Sequence, residues 1–203
     1  MRIIIFGAGR VGITLAGILV QRKYNITIID EKQETCDILA GDMDCKVICG
    51  DATDPNLLDQ MEMDDVDFVF SVTGNEEVNF LSSVYSKSTK ARRVICRASE
   101  VKYSRLMERL GIEPLIPELS LGRELANIVM APVISLMLDP SYSHIEMIEQ
   151  DVKGKLENKT VGDVGSKKNF TIVSVFKDGT FLSPEPDLVL TKDMKIVVIK
   201  HKP

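Results

Sequence analysis

One glycine-rich stretch of the sequence has the spacing of a phosphate-binding loop. An apolar run, residues 3–6, is followed by Gly7-Ala8-Gly9-Arg10-Val11-Gly12, which matches G-x-G-x-x-G. In such a strand-turn-helix unit the first glycine permits a tight turn, the second lets the backbone approach a pyrophosphate, and the third lets the helix pack on the strand. The helix N-terminus presents free N–H groups and the positive end of its dipole to the anion. Glycines at this spacing can also be simple strand-to-helix punctuation, so the surrounding sequence must decide.

An acidic residue lies where a dinucleotide site requires one. A second apolar strand, residues 24–29, ends at Asp30, close to the offset of about twenty residues expected for the carboxylate that binds a ribose. A carboxylate there accepts hydrogen bonds from two vicinal hydroxyls and repels a 2′-phosphate, which favours NAD(H) or an adenine nucleotide over NADP. The alternative for Asp30 is a solvent-facing acid at the end of a strand.

Short apolar strands alternate with helical segments up to residue 118. The predicted strands are residues 3–6, 24–29, 45–49, 67–72, 93–96 and 113–116. Such alternation indicates a parallel sheet covered on both faces, and right-handed crossovers then favour a Rossmann-like doubly wound α/β fold. In that fold ligands bind at the carboxyl ends of the strands.

Candidate ligand-binding residues follow these strand ends. They are Gly7, Gly9, Arg10, Val11, Gly12, Asp30, Glu31, Asp51, Ala52, Thr73, Gly74, Asn75 and Arg97. Arg10 and Arg97 can contact phosphate oxygens, although Arg10 can equally be an exposed residue at the start of a helix. Asp51 can accept a hydrogen bond from an adenine amino group or cap the next helix, a role also open to Thr53 and Asp54. Thr73 and Asn75 offer polar groups but also suit ordinary turns. Glu118, after the sixth strand, can bind a cation or pair with an arginine.

The pattern changes after residue 118. A long apolar helix, residues 119–138, is predicted to be interrupted by Pro132. The apolar part, residues 125–138, is shorter than the roughly twenty residues of a bilayer span, so we expect a buried or subunit-interface helix in a soluble protein. A β-rich segment follows, with predicted strands at 143–148, 170–176, 181–182 and 196–199 and a hairpin turn at Asp178-Gly179. We therefore predict a nucleotide-binding domain over 1–138 and a small α+β domain over 139–203.

Composition excludes several classes of protein. The net charge of −5 disfavours nucleic acid as a partner. The four cysteines form no C-x-x-C pair, and no convincing fourth ligand is present to complete a zinc site. The sequence begins on a strand without a signal peptide. A reduced cytoplasmic setting is therefore expected. Catalytic groups are scarce, since the two histidines, His144 and His201, lie in the late module and no tyrosine is followed four residues later by lysine. A nucleotide sensor is favoured over the alternative of an NAD-dependent oxidoreductase.

The combined motifs strongly resemble the RCK or KTN family, the cytoplasmic regulatory subunits of Trk- and Ktr-type potassium uptake systems. The resemblance rests on the glycine loop, Asp30, Gly50-Asp51-Ala52-Thr53, the run from Thr73 to Asn79, Arg97, Pro117-Glu118, Gly122, Leu125-Ala126, Ser183-Pro184-Glu185-Pro186 and Leu190-Thr191-Lys192-Asp193. Lys192-Asp193 replaces the Gly-Asp that is common in the family.

The resemblance implies a nucleotide-gated regulator rather than an enzyme. Such subunits bind NAD(H) and ATP or ADP, dimerise through helices after the sixth strand, and form rings docked under a pore-forming subunit at the inner face of the cell membrane. Arg10 would then contact the terminal phosphates, Asp30 the ribose and Asp51 the adenine, while Glu118 would bind a cation or contact another subunit. With one N-terminal and one C-terminal unit, the chain would need to form a homo-oligomer to build a ring. Regulation of a different cation transporter is the remaining alternative.

Overall fold

The computed structural model describes residues 1–61, 63, 65–99, 101–138, 145–165 and 170–201. The chain divides into two compact units, Met1–Arg123 and Glu124–Pro203. The predicted domain boundary near Asp139 lies outside the described residues, and the contacts group residues 124–138 with the second unit instead of the first. A domain boundary after residue 138 therefore stays a prediction.

The first unit contains a six-stranded parallel sheet. Its strands are β1 (Arg2–Phe6), β2 (Asn25–Asp30), β3 (Lys46–Cys49), β4 (Phe68–Ser71), β5 (Arg93–Arg97) and β6 (Glu113–Leu115). Their order in the sheet is β3-β2-β1-β4-β5-β6, and every neighbouring pair is parallel. This is the strand order of a dinucleotide-binding fold, in which the order reverses direction beside β1. The predicted Rossmann-like α/β class is confirmed.

Helices connect these strands. They are α1 (Arg10–Gln21), α2 (Gln33–Asp42), α3 (Pro55–Gln60), α4 (Glu76–Ser88) and α5 (Val101–Arg109), and α6 (Pro117–Met130) follows β6. The sequence explains where α3 begins. The Asp54 side chain accepts a hydrogen bond from the backbone N–H of Asn56, and Pro55 occupies the first turn of α3, where its missing N–H costs nothing.

The central strand β1 is buried on both faces. Ile4 and Phe6 belong to one apolar cluster, whereas Ile3 and Ile5 belong to another. All four side chains are at most 2% exposed. Successive side chains of a strand point to opposite faces, so a continuous apolar run is what a strand between two layers requires. The sheet edge at the end of β1 is therefore a rigid base for the glycine loop.

The second unit contains a four-stranded antiparallel sheet. Its strands are β7 (Ile145–Asp151), β8 (Phe170–Lys177), β9 (Thr180–Leu182) and β10 (Met194–His201), in the order β7-β10-β8-β9. Strands β8 and β9 form the predicted hairpin across Asp178 and Gly179. A short helix, α8 (Val161–Gly165), joins β7 to β8 together with a single 3-10 turn at Gly154–Leu156. Residues 143 and 144, predicted to begin the first of these strands, lie outside the described residues.

The long apolar segment forms two helices. Helix α6 ends at Met130 and α7 (Pro132–Leu138) begins at the proline, which confirms the predicted interruption. The expectation of a buried helix is wrong for the single chain, because neither helix contains a buried residue and Val129 and Met130 are each 81% exposed. An interface with another subunit stays a prediction. No helix within the described ranges has the length and apolar character needed to cross a membrane.

Candidate nucleotide-binding site

A cleft of about 360 Å³ opens at the carboxyl ends of β1, β2, β3 and β4. It is lined by Gly7, Ala8, Gly9, Ile29, Asp30, Glu31, Lys32, Thr35, Gly50, Asp51, Ala52, Thr73, Gly74, Asn75 and Val78. On one side of β1 the sheet continues with β2 and β3, and on the other side with β4, β5 and β6. Open α/β sheets bind ligands at such a switch point in the strand order. The fold therefore brings the glycine loop and three acidic residues to one place.

The three glycines of the loop have different structural roles. Gly7 has a φ of +102°, and a Cβ there would lie 2.8 Å from backbone atoms of Thr73. A Cβ on Gly12 would lie 1.9 Å from the carbonyl oxygen of Gly7, so α1 packs directly on the end of β1. A Cβ on Gly9 would meet no atom within 4 Å. The fold itself requires glycine at the first and third positions, whereas only a ligand would need it at Gly9.

The N-terminus of α1 is not capped by a side chain. Its N-cap residue is Gly9, which has no side chain to accept a hydrogen bond from the helix, and the first turn contains no acidic residue. By contrast, α4 is capped by the side-chain oxygen Oδ1 of Asn75, which accepts hydrogen bonds from the N–H groups of Glu77 and Val78 at 2.9 and 3.2 Å. The first N–H groups of a helix have no partner within it, so those of α1 can bind an anion at the glycine loop.

Asp30 is fixed at the rim of the cleft by backbone groups. Its Oδ2 accepts a hydrogen bond from the N–H of Ala8 at 2.7 Å, and its Oδ1 accepts one from the N–H of Lys32 at 3.0 Å. The first bond joins the end of β2 to the glycine loop. Each carboxylate oxygen keeps a second lone pair, so Asp30 is oriented and can still accept hydrogen bonds from two ribose hydroxyls.

Asp51 forms a local turn at the end of β3 through hydrogen bonds to its own side chain. Its Oδ1 accepts hydrogen bonds from the N–H and the hydroxyl of Thr53 at 2.8 and 2.7 Å. These bonds hold the pKa of the Asp51 carboxyl below its usual value, so the group stays an ionised acceptor. Asp54 caps α3, so capping that helix is not the role of Asp51. The exposed carboxylate lines the cleft, as the adenine-binding hypothesis requires.

Asn79 organises the loop after β4, and its role was missed in the sequence. This α4 residue is 1% exposed. Its Oδ1 accepts hydrogen bonds from the N–H and the hydroxyl of Thr73, both at 2.7 Å, and its Nδ2 donates to the carbonyl oxygens of Thr73 and Arg97 at 3.2 and 3.3 Å. Thr73 and Asn75 also hydrogen-bond each other. The predicted turn chemistry of both residues is therefore present, and Asn79 sets its position.

Replacing Asn79 with alanine should weaken both the fold and the site. The change leaves half-buried polar groups of Thr73 and Arg97 without these partners, which should lower the free energy of unfolding by about 2 to 3 kcal/mol. Urea unfolding measures this loss, and a parallel NAD titration should show weaker binding. Asn56→Ala, on the exposed first turn of α3, is the control and should stay within about 0.5 kcal/mol of wild type. Equal stability of Asn79→Ala and wild type would contradict this role.

Five predicted site residues do not line the cleft among the residues that the structure describes. They are Arg10, Val11, Gly12, Arg97 and Glu118. The first three lie in the opening turn of α1, and two of them, Arg10 and Val11, are exposed there. Of the other two, Arg97 is the last residue of β5 and Glu118 follows β6, and both strands lie on the far side of β4 from β1. The residues that the structure describes include no group of three or more His, Cys, Asp or Glu side chains able to hold a metal ion.

Six further residues line the cleft and were not predicted as site residues: Ala8, Ile29, Lys32, Thr35, Gly50 and Val78. Lys32 and Thr35 come shortly after the acidic end of β2. This closeness in the sequence was the only indication that they line the cleft. A larger cavity of about 830 Å³ shares Gly74 and Asn75 with the cleft but is otherwise lined mainly by apolar side chains of α4 and α5. The smaller cleft is the better candidate for a nucleotide, because it contains the glycine loop and Asp30.

Comparison with known proteins identifies the family. Residues 3–117 match the TrkA-N domain. The chain belongs to the TrkA-N domain family. This confirms the resemblance seen in the sequence, and the TrkA-N match covers the sheet, the glycine loop and the cleft described above.

Two curated relatives of this TrkA-N chain carry the name Trk system potassium uptake protein TrkA homolog. The relative from Methanothermobacter thermautotrophicus is 29% identical over 201 residues, which cover 98% of this chain and 93% of that protein. The relative from Archaeoglobus fulgidus is 32% identical over 206 residues, which cover 98% of this chain and 47% of that protein. The chain thus spans nearly the whole of one relative and about half the length of the other.

A solved structure, titled GsuK channel bound to NAD, has a similar fold. The TM-score is 0.54 at 18% sequence identity, and the match covers 99% of this chain and 37% of the GsuK chain. At this identity the likeness supports the fold assignment alone. The small antiparallel sheet of the second unit is within the matched part of the TrkA-N chain.

Proposed function

We propose that the chain is a cytoplasmic nucleotide-binding subunit that regulates a membrane potassium transporter or channel in response to NAD(H), ATP or ADP. The names of its relatives support a role in potassium uptake. The cleft supports nucleotide binding, since it combines a glycine loop, an uncapped helix N-terminus and an oriented carboxylate. A regulatory role is favoured over an NAD-dependent oxidoreductase because the named relatives are potassium uptake proteins.

The observation that carries this proposal is the open space at Gly9. The fold does not need glycine there, since an added Cβ would meet no atom within 4 Å. A pyrophosphate that lies against the loop backbone would need it. In the proposed arrangement the diphosphate binds the N–H groups at the start of α1, Asp30 binds the ribose, and Asp51 accepts from the adenine amino group. Arg10, exposed in the same turn, reaches the terminal phosphate of ATP.

Replacing Asp30 with alanine should lower the affinity for NAD by about ten- to a hundredfold. Hydrogen bonds to a charged group contribute roughly 1.5 to 3 kcal/mol, and the substitution also frees the N–H of Ala8. Titration calorimetry measures the affinities for NAD and for NADP. The factor by which the protein prefers NAD over NADP should be smaller in the variant than in wild type. Asp37→Ala, an equal change of charge on the exposed face of α2, is the control and should bind like wild type. An unchanged NAD affinity in Asp30→Ala would rule out this role.

The proposed transport complex is a homo-oligomer that docks on the pore-forming subunit from the inner side of the membrane. Helices α6 and α7 contain many apolar residues, and none of their residues is buried in the single chain. An exposed apolar surface of this kind is typical of a protein interface, and we propose that it joins two copies as the first step in ring assembly. A nucleotide would then act through the difference between its affinities for two arrangements of the ring.

Potassium uptake by cells with and without the chain tests the regulatory role. We expect nucleotide-dependent potassium uptake in membrane vesicles from cells that produce either the wild-type chain or Gly17→Ala. Vesicles from cells that produce Gly9→Ala should lose that dependence. Unchanged uptake after deletion of the chain would contradict the link to potassium transport. Uptake that requires the chain but responds equally in Gly9→Ala would contradict regulation through the cleft.

A further inference from the structure

Two cysteines lie beside the segment that carries Asp30. Cys36 is in the first half of α2, and Cys49 is the last residue of β3, paired in register with Asp30. The Cys36 Sγ lies 3.4 Å from the carbonyl oxygen of Asp30 and 3.9 Å from that of Ile48. The Cys49 Sγ lies 3.8 Å from the carbonyl oxygen of Glu31. The two thiols therefore contact consecutive peptide groups of one short segment at the rim of the cleft.

The two thiols interact and differ in their access to solvent. Burial, followed by a hydrogen bond with Cys49 and the negative charge of that residue, raises the pKa of the Cys36 thiol to about 11. Cys36 is 4% exposed, whereas Cys49 is exposed. An accessible cysteine is the first to react with an oxidant, and a neighbouring thiol can then resolve the product as a disulfide. Their arrangement is that of a reacting and a resolving cysteine.

We propose that Cys36 and Cys49 form a reversible disulfide that weakens nucleotide binding in the adjoining cleft. The site of modification stands on the position of the thiols, and its effect on affinity rests on the proposed nucleotide-binding function. The oxidant is hydrogen peroxide, and a dithiol reductant reverses the reaction.

The reaction is balanced in two steps. The Cys49 thiolate attacks one oxygen of hydrogen peroxide, so that an S–O bond forms, the O–O bond breaks, and the leaving hydroxide takes a proton to become water. The Cys36 thiol then loses its proton as its sulfur attacks the sulfur of this sulfenic acid, so that an S–S bond forms, the S–O bond breaks, and the leaving hydroxide takes that proton to become a second water. Two thiols are oxidised to one disulfide while one peroxide is reduced to two waters.

The disulfide would disturb the carboxylate of Asp30 through the backbone. A disulfide bond is about 2.05 Å long, which is much shorter than a contact between two thiols, so α2 and the end of β3 must move together. The segment between them carries Glu31, which lines the cleft, and Asp30, whose bonds to the N–H groups of Ala8 and Lys32 set its orientation. We expect the affinity for NAD to fall about fivefold or more, a usual size for coupling between sites.

The test compares reduced and peroxide-treated full-length protein. Alkylation and mass spectrometry should show loss of two free thiols and a peptide linked through Cys36 and Cys49 in the wild-type chain. Titration with NAD should show weaker binding after peroxide and full recovery after dithiothreitol. Cys49→Ser should form no link and keep its affinity in peroxide, whereas the matched variant Cys45→Ser should behave like wild type.

The failure of this inference differs from the failure of the proposed function. Absence of the linked peptide, or a linked peptide with unchanged NAD affinity, would overturn the disulfide proposal and leave the nucleotide site intact. If the reduced protein binds no nucleotide, the proposed function and the effect of the disulfide on affinity both fail, although the mass spectrum still reports whether the link forms.

Discussion

Gly12→Ala should lower the free energy of unfolding by about 3 kcal/mol or more, because the new methyl group has no room. It would lie 1.9 Å from the carbonyl oxygen of Gly7. That oxygen cannot easily retreat, since Gly7 is itself in close contact with Thr73 and its N–H donates to the carbonyl oxygen of Ile29 at 2.8 Å. Relief of the clash must move α1 away from β1, which opens the core between them. Scanning calorimetry should show a melting temperature lower by roughly 10 °C.

Gly17→Ala is the matched control for this loss of stability. It makes the same change in the same helix, at a position where an added Cβ would meet no atom within 4 Å. Alanine is the better helix former by up to about 1 kcal/mol, so this variant should be as stable as wild type or more stable. If Gly12→Ala melts at the temperature of Gly17→Ala, the close approach of α1 to β1 is not what requires this glycine.

Gly9→Ala should leave the fold intact and abolish most of the nucleotide affinity. Gly9 has a φ of −74° and a ψ of −175°, which alanine adopts without strain, and its added Cβ would meet no protein atom within 4 Å. Stability should therefore stay within about 1 kcal/mol of wild type. The methyl group would occupy the space through which a pyrophosphate approaches the loop backbone. Calorimetric titration should show an affinity for NAD about a hundredfold lower, or roughly 2.7 kcal/mol.

Binding by Gly17→Ala should match wild type, because that residue does not line the cleft. Together, Gly9→Ala and Gly12→Ala separate function from folding within one loop: the first loses ligand and keeps stability, and the second loses stability. A Gly9→Ala variant that binds NAD as tightly as wild type would mean that the diphosphate does not lie against this loop.

The strands could be predicted from the sequence because a strand that is buried on both faces has apolar residues at successive positions. A strand such as β1, with Ile3, Ile4, Ile5 and Phe6 all in a core, appears as an unbroken apolar run. The glycine loop and Asp30 were predictable for a related reason, since they follow β1 and β2 and the sheet brings those two strand ends together. Local pattern sufficed for these two features because β1 and β2 are neighbours both in the chain and in the sheet.

The remaining site residues depend on strand order, which the sequence does not encode locally. Arg97 and Glu118 also lie at strand ends, but β5 and β6 are beyond β4 in the sheet, and neither residue lines the cleft. Asn79 gave no signal of its role, because a polar residue in a helix is normally exposed and its burial follows from packing on β4 and β5. For the apolar helices α6 and α7 the sequence left two alternatives, burial or an interface with another subunit, because apolar periodicity cannot tell a core from an interface with another chain.

Calorimetric titration of the full-length protein with NAD, NADH, ATP and ADP tests nucleotide sensing most directly. The size of the protein in solution and the recovery of each ligand are recorded in the same samples. We predict that at least one nucleotide binds, that binding changes the assembly or its shape, and that the ligand is recovered unchanged. Oxidation or reduction of the nicotinamide, or no binding by any of the four ligands, would contradict a regulatory nucleotide site.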